Sequence, residues 1–189
     1  MSAPGVQLVL LRCPGCGSAL DGESDGIFLY CRACGRGYEL SADDALEPIP
    51  VAFASYAAGS RDFHPFWVFD ASLTLGARQA QRSLAQRLTR PAGLTRLFEE
   101  RGSLTFYCAA SPGDLDAERS WSLHLTREQP ELAPADRQPQ IGGLALSQND
   151  ARVVAEHLFL ASEIEQADVV RDLQYTLDLT NARVVVVGL

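Results

Sequence analysis

"CPGCGSALDGESDGIFLYCRACGRGYEL", residues 13–40, holds four of the five cysteines in the chain. They fall into two C-x2-C pairs, Cys13/Cys16 and Cys31/Cys34, separated by fourteen residues. Thiols at this density bind a metal, pair as disulfides or exchange electrons. The spacing favours the metal, being close to that of structural zinc sites whose pairs lie roughly 15–20 residues apart. A tight turn presents two thiolates to one ion at about 2.3 Å, and two such turns complete a tetrahedron. Gly17 and Gly35 follow the pairs. Positive φ is open to glycine there, so backbone N–H groups can turn toward the sulfurs and support them as thiolates.

Between the pairs, "ALDGESDG" reads as a polar turn and "IFLYC" as a strand leading into the second pair, after which "GYEL" reads as a short return strand. Over about residues 6–42 this layout resembles the zinc-ribbon family. The resemblance implies a closed four-thiolate site with Cys13, Cys16, Cys31 and Cys34 as ligands to one structural zinc. With every position taken by sulfur, no water or substrate reaches the ion, so its work is folding. A unit of about forty residues buries too little apolar surface by itself. Zinc-binding energies of roughly 10–16 kcal/mol would make up the difference. Zinc ribbons occur in transcription factors, ribosomal proteins, polymerase subunits and adaptors, so the resemblance implies a local fold rather than an activity.

The other readings of the cysteines are weaker. Disulfides need an oxidising compartment. The N-terminal "MSAPGVQLVLLRC" has no basic n-region and only a short apolar run, so no secretory signal is expected. A rubredoxin-like iron site would place its knuckles much further apart around an aromatic core. A thioredoxin-like C-x-x-C needs a βαβ context, which two matched pairs argue against. Cys108, in "SLTFYCAAS", is expected as a buried core thiol.

Composition narrows the function classes. All sixteen basic residues are Arg, so there can be no P-loop, Schiff-base or general-base lysine. No apolar run approaches the roughly 20 residues of a membrane helix, and a cytoplasmic location is expected. A net charge of −8 disfavours nucleic-acid binding, where affinity comes from neutralising phosphates. The exception is residues 77–101, where six Arg, including Arg78, Arg82, Arg87 and Arg90, face only two acids. Such runs are usually solvated helix faces.

Beyond the cysteines the pattern predicts an α+β architecture. An N-terminal ribbon (1–46) and a linker (47–57) are followed by a domain over 58–189 with a mainly antiparallel sheet and two to three helices. "FHPFWVFDASLTL" reads as a strand beginning after Pro65 or lying at an edge. Residues 77–90 read as a helix, "GLTRLFEERG" as a short helix closed by Gly102, and "SLTFYCAA" as a buried strand. A further helix is expected over "GDLDAERSWSLHLTRE" and a loop over the proline-rich 128–143. The clearest helix follows Ser147, an N-cap with Asp150 three residues on. Val154, Leu158 and Ala161 should line its inner face and Arg152, Glu156 and Glu163 its outer one. The C-terminal "DLQYTLDLTNARVVVVGL" reads as a hairpin turning at "TNA". The arrangement is also similar to uncharacterised bacterial zinc-ribbon proteins in which a ribbon precedes a domain opening with a "PFW" strand, here Pro65, Phe66 and Trp67.

Catalytic signatures are absent from the sequence. His64, His124 and His157 are dispersed without H-x-H or H-E-x-x-H spacing, and there is no G-x-S-x-G. The acid pairs Asp43/Asp44 and Asp114/Asp116 occupy turn or cap positions. The function expected from the sequence is an adaptor or accessory subunit acting through protein–protein contacts. Phe66, Trp67 and the arginines at 78, 82, 87 and 90 are the candidate interaction residues. Nucleic-acid binding through Arg78–Arg101 is the first alternative, and an enzyme of unassigned type the second.

Overall fold

The computed structural model describes residues 11–22, 26–41, 43, 45–57, 59–80, 93–110, 115–135, 139, 141, 144–164 and 170–189. The class is α+β. A small sheet of order β1-β2-β3 comprises β1 (Phe28–Cys31), β2 (Arg36–Leu40) and β3 (Leu46–Ile49). The larger sheet contains β4 (Val51–Ser55), β5 (Phe63–Ala80), β6 (Ser103–Ala109), β7 (Ala133–Pro134) and β8 (Val170–Gly188). Its order is β6-β5-β8-β4-β7, and β4 with β8 is the parallel pair in an otherwise antiparallel ladder. The helices are α1 (Leu94–Arg101), α2 (Leu115–Glu128) and α3 (Gln148–Ile164).

β5 organises the core because alternate side chains of a strand point to opposite faces. Phe66 and Val68 face one way and join Tyr107, Val185 and Val187 beneath Leu125 of α2. Trp67, Phe69 and Ala71 face the other way, among Phe106, Cys108, Val184 and Val186. That second face is covered by Leu94 and Phe98 of α1 and by Ala151, Ala155 and Phe159 of α3. Phe28, Tyr30 and Ile49 of the small sheet complete the same cluster. The layers are therefore α2, the large sheet, then α1, α3 and the small sheet together. A central strand buried on both faces reads as a continuous apolar run, which is what "FWVF" is.

Phe66 and Trp67, the aromatics expected to offer a binding surface, are 1% and 0% exposed. They are core residues, because α2 covers one face of β5 and α1 with α3 covers the other. The strand begins at Phe63 and runs through Pro65, which sits at the end of the β5–β6 ladder. The Pro65 carbonyl accepts from the Ala110 N–H at 3.0 Å, and β6 ends one residue before that rung. The missing proline N–H therefore falls where little ladder remains.

Four further expectations are corrected by long-range pairing. Residues 47–57, read as a linker, carry most of β3 and all of β4. Their prolines hide a register of Gly37 opposite Ile49 and Val51 opposite Val184. Residues 77–80 continue β5 against β8 instead of starting a helix, which places the Arg78 backbone in a strand. Arg82, Arg87, Arg90 and the rest of 81–92 lie outside the described residues. The C-terminal stretch does not turn back at "TNA": β8 runs straight through, with Asn181 at φ 50° in a bulge. Finally, α3 is rotated from its expected setting. Ala151, Ala155, Leu158, Phe159 and Ser162 form its buried stripe, whereas Val153 and Ile164 are 54% and 67% exposed.

The rotation buries Glu163, whose Oε1 accepts the Thr95 N–H of α1 at 3.0 Å. Gly93 at the α1 N-cap makes no side-chain cap bond, so α3 supplies the acceptor that the helix terminus needs. The Ser147 cap forms as expected: the Asp150 N–H donates to Ser147 Oγ at 3.0 Å, and the Ser147 hydroxyl donates to Asp150 at 2.7 Å.

The Asn181 bulge is knitted around Asp70. Asn181 Nδ2 and Arg183 Nη1 donate to the two Asp70 oxygens at 2.8 and 2.9 Å. The Asn181 hydrogen bond, and then Arg183, hold the Asp70 carboxyl below its ordinary value despite some desolvation. Because the folded-state value is depressed, the group stabilises the fold above the unfolded carboxylate range of about 4 and loses that contribution as pH falls through the folded value. We expect Asp70→Asn to flatten the stability profile below about pH 4. At pH 7 it should cost no more than about 1 kcal/mol, since the pair is half-exposed and screened. Urea denaturation of both proteins across that pH range checks it.

Candidate metal centre

The two knuckles are built alike. Cys31 ends β1 and Arg36 opens β2, so the second C-x2-C is the turn of a hairpin. The first is held by a bridge between Arg12 and Ala19 and by Cys13 N–H donating to the Ser18 carbonyl at 2.8 Å. In each, the glycine N–H returns to the carbonyl of the first cysteine, Gly17 to Cys13 at 2.8 Å and Gly35 to Cys31 at 2.7 Å. Gly17 and Gly35 take φ of 76° and 73°, the positive values expected of them.

The four sulfurs all lie within 4.8 Å of one another, with Cys13–Cys34 and Cys16–Cys31 each at 3.5 Å. A tetrahedral ion with bonds of about 2.3 Å needs sulfur–sulfur edges of about 3.8 Å, so the set fits one ion with little adjustment. None of the five cysteines is in a disulfide. Cys13 and Cys31 are buried, while Cys16 and Cys34 form the exposed side of the site.

The surroundings favour thiolate at Cys13 and Cys16. Cys13 is lowered to about 6, first by the Tyr38 hydroxyl 3.4 Å from its sulfur and then by the Gly15 and Cys16 amides. Cys16 is lowered by the Ser18 hydroxyl and amide. Cys34 is pushed up to about 12, although the residue is exposed, first by desolvation and then by the three neighbouring sulfurs. That opposition is what a cation relieves: four negative charges this close cannot coexist without one. Four thiolates also fill every position of a tetrahedral ion, which gives the site a structural chemistry.

Tyr38 and Arg36 are supporting residues that the spacing did not reveal. They sit two apart on β2 and so share a face. Arg36 bonds the Tyr38 hydroxyl, which in turn holds Cys13. A Cβ on Gly15 would collide with the Arg36 guanidinium, so the side chain reaches from the second knuckle across the first. An aromatic with a polar tip on the return strand, "CGRGY", was the available signal. Tyr38→Phe is expected to weaken metal affinity about 10–100-fold, as loss of an outer-shell bond commonly does. Competition with a chromogenic chelator would measure it.

The remaining sequence candidates do not converge. His64 and His157 are exposed on β5 and α3, and His124 shares a 2.9 Å hydrogen bond with the Tyr56 hydroxyl. Among the described residues, the cysteines are the one group of three or more metal-ligating side chains that come together. Cys108 is buried, as expected of a core thiol. No helix among the described residues is long and apolar enough to cross a membrane.

No family model, no curated protein and no solved structure matches the chain.

Proposed function

We propose that the chain is an accessory or adaptor subunit that works through protein–protein contacts, stabilised by one structural zinc in a ribbon-like unit. The observation that carries this reading is the closed set of four sulfurs, which suits a metal that holds structure. The knuckle arginines favour a protein partner over nucleic acid. Arg12 donates to the Gly17 carbonyl at 3.1 Å, Arg32 pairs with Asp21 at 2.6 Å, and Arg36 serves Tyr38. Each is engaged within the unit, and the chain as a whole carries −8.

The test is purification of the tagged chain from its native host, with zinc, co-purifying protein and nucleic acid all quantified. The proposal expects about one zinc per chain, as one tetrahedral site requires, and a stoichiometric protein partner. Salt-sensitive nucleic acid in place of protein would overturn it and direct mutagenesis to Arg82, Arg87 and Arg90. Recovery of the zinc-loaded chain alone would also overturn it and turn attention to enzymatic assays.

A further inference from the structure

β6 is the edge strand of the large sheet, and its sequence "SLTFYCA" carries no charge and no proline. An uncharged edge rich in β-favouring residues is a template for pairing with another chain unless something covers it. Here α2 covers it with side chains in place of a strand. The outward N–H groups of Thr105, Tyr107 and Ala109 donate to Gln129 Oε1 at 2.7 Å, Thr126 Oγ1 at 3.0 Å and Ser122 Oγ at 3.0 Å. Gln129 also returns Nε2 to the Thr105 carbonyl at 2.6 Å, so one side-chain amide makes both bonds that a neighbouring peptide would make.

The geometry has a simple basis. Residues 122, 126 and 129 are spaced by four and three, which is one face of a helix. Their helical rises of about 6 and 4.5 Å approximate the roughly 6.8 Å between alternate strand residues. The three rungs run antiparallel, Ser122 to Ala109, Thr126 to Tyr107 and Gln129 to Thr105. Gln129 lies just past the helix end at φ 50°, a conformation unusual for a side-chain-bearing residue. Its N–H bonds the Leu125 carbonyl at 3.0 Å, the position glycine commonly takes in closing a helix. Gln129 also donates to the Thr126 carbonyl at 2.7 Å, which fixes the amide against the edge.

We infer that Ser122, Thr126 and Gln129 are a strand surrogate that keeps the β6 edge closed, and that the occupant of the opened edge is β6 of a second copy of this chain. Antiparallel self-pairing about Tyr107 would match the N–H spacing of the edge to itself, with no charge on either strand to oppose it.

The decisive variant is Gln129→Gly. At positive φ, glycine is the better helix terminator, so a purely capping role predicts unchanged or raised stability and an unchanged Thr105 amide. A closing role predicts that Thr105 exchanges its amide hydrogen at least about tenfold faster in the monomer, with Phe106 and Cys108 unaffected. The second measurement is the association state of Ser122→Ala/Thr126→Val/Gln129→Gly by sedimentation. Concentration-dependent dimers in which the Thr105, Tyr107 and Ala109 amides regain protection are expected. Unaltered Thr105 exchange in Gln129→Gly would overturn the inference, even if the triple variant failed to fold. A folded triple variant that stays monomeric, or that dimerises with those amides still exchanging, would do the same.

Discussion

Cys31→Ser is expected to release the metal and unfold the knuckle unit, and to lower the stability of the large sheet as well. Cys31 is fully buried at the end of β1. Serine offers a weaker ligand to a site whose binding is worth roughly 10–16 kcal/mol in zinc-finger peptides. The small sheet does not stand apart from the rest. Phe28 and Tyr30, on the strand that ends in Cys31, belong to the cluster that contains Trp67 and Phe69. Tyr30 also meets Phe53 of β4 edge-to-face at 5.6 Å. Glu39 of β2 accepts the Gln148 N–H at 2.9 Å and so caps the first turn of α3. Uncovering two buried aromatics costs about 3–6 kcal/mol, enough to lower the melting temperature of a chain this size by about 10 °C or more. Wild-type protein treated with a strong chelator should behave the same way, since either treatment would empty the same four-sulfur site. Calorimetry with and without chelator, paired with hydrogen exchange over β4 and β5, checks it. A large sheet whose melting is indifferent to the metal would show that the shared cluster couples the two sheets only weakly.

How much of this was legible in the sequence depended on how local the cause was. The knuckles follow from cysteine and glycine spacing within five residues, and their turns formed with the expected φ values. The Ser147 cap and the end of α1 at Gly102 are equally local. What escaped was decided by partners far along the chain. Residues 46–49 and 51–55 are strands because Gly37 and Val184 lie beside them. The β6 edge is closed by residues thirteen to twenty-four positions away. Asn181 is a bulge because β8 has β5 to follow, whereas in isolation "LTNAR" has the composition of a turn. Glu163 was placed outside because charge suggests solvent, whereas the bare N-terminus of α1 gives it a reason to be inside. In the candidate metal centre, the grouping of the four cysteines was legible and the supporting Tyr38–Arg36 pair was not. Ligand spacing is a chain property, whereas support depends on which face of β2 meets the sulfurs.

Trp67→Ala separates the core and surface readings of the "PFW" segment most sharply. Trp67 is wholly buried, stacks on Phe69 with ring centroids 6.4 Å apart, and donates Nε1–H to the Leu146 carbonyl at 2.9 Å. Truncation removes the packing, leaves a cavity in the central layer and strands a carbonyl that anchors the segment leading into α3. A loss of about 3–5 kcal/mol is expected. Against a total of roughly 5–15 kcal/mol for a natural domain, that is enough to leave the protein partly unfolded at 37 °C. Urea denaturation followed by Trp121 fluorescence gives the value, because Trp121 lies on the opposite side of the sheet with α2. An interface tryptophan would behave otherwise, leaving the denaturation midpoint in place and removing only a partner. Partner contacts must therefore be sought on surfaces other than this strand. If Trp67→Ala kept its midpoint, the layer order deduced for β5 would be wrong.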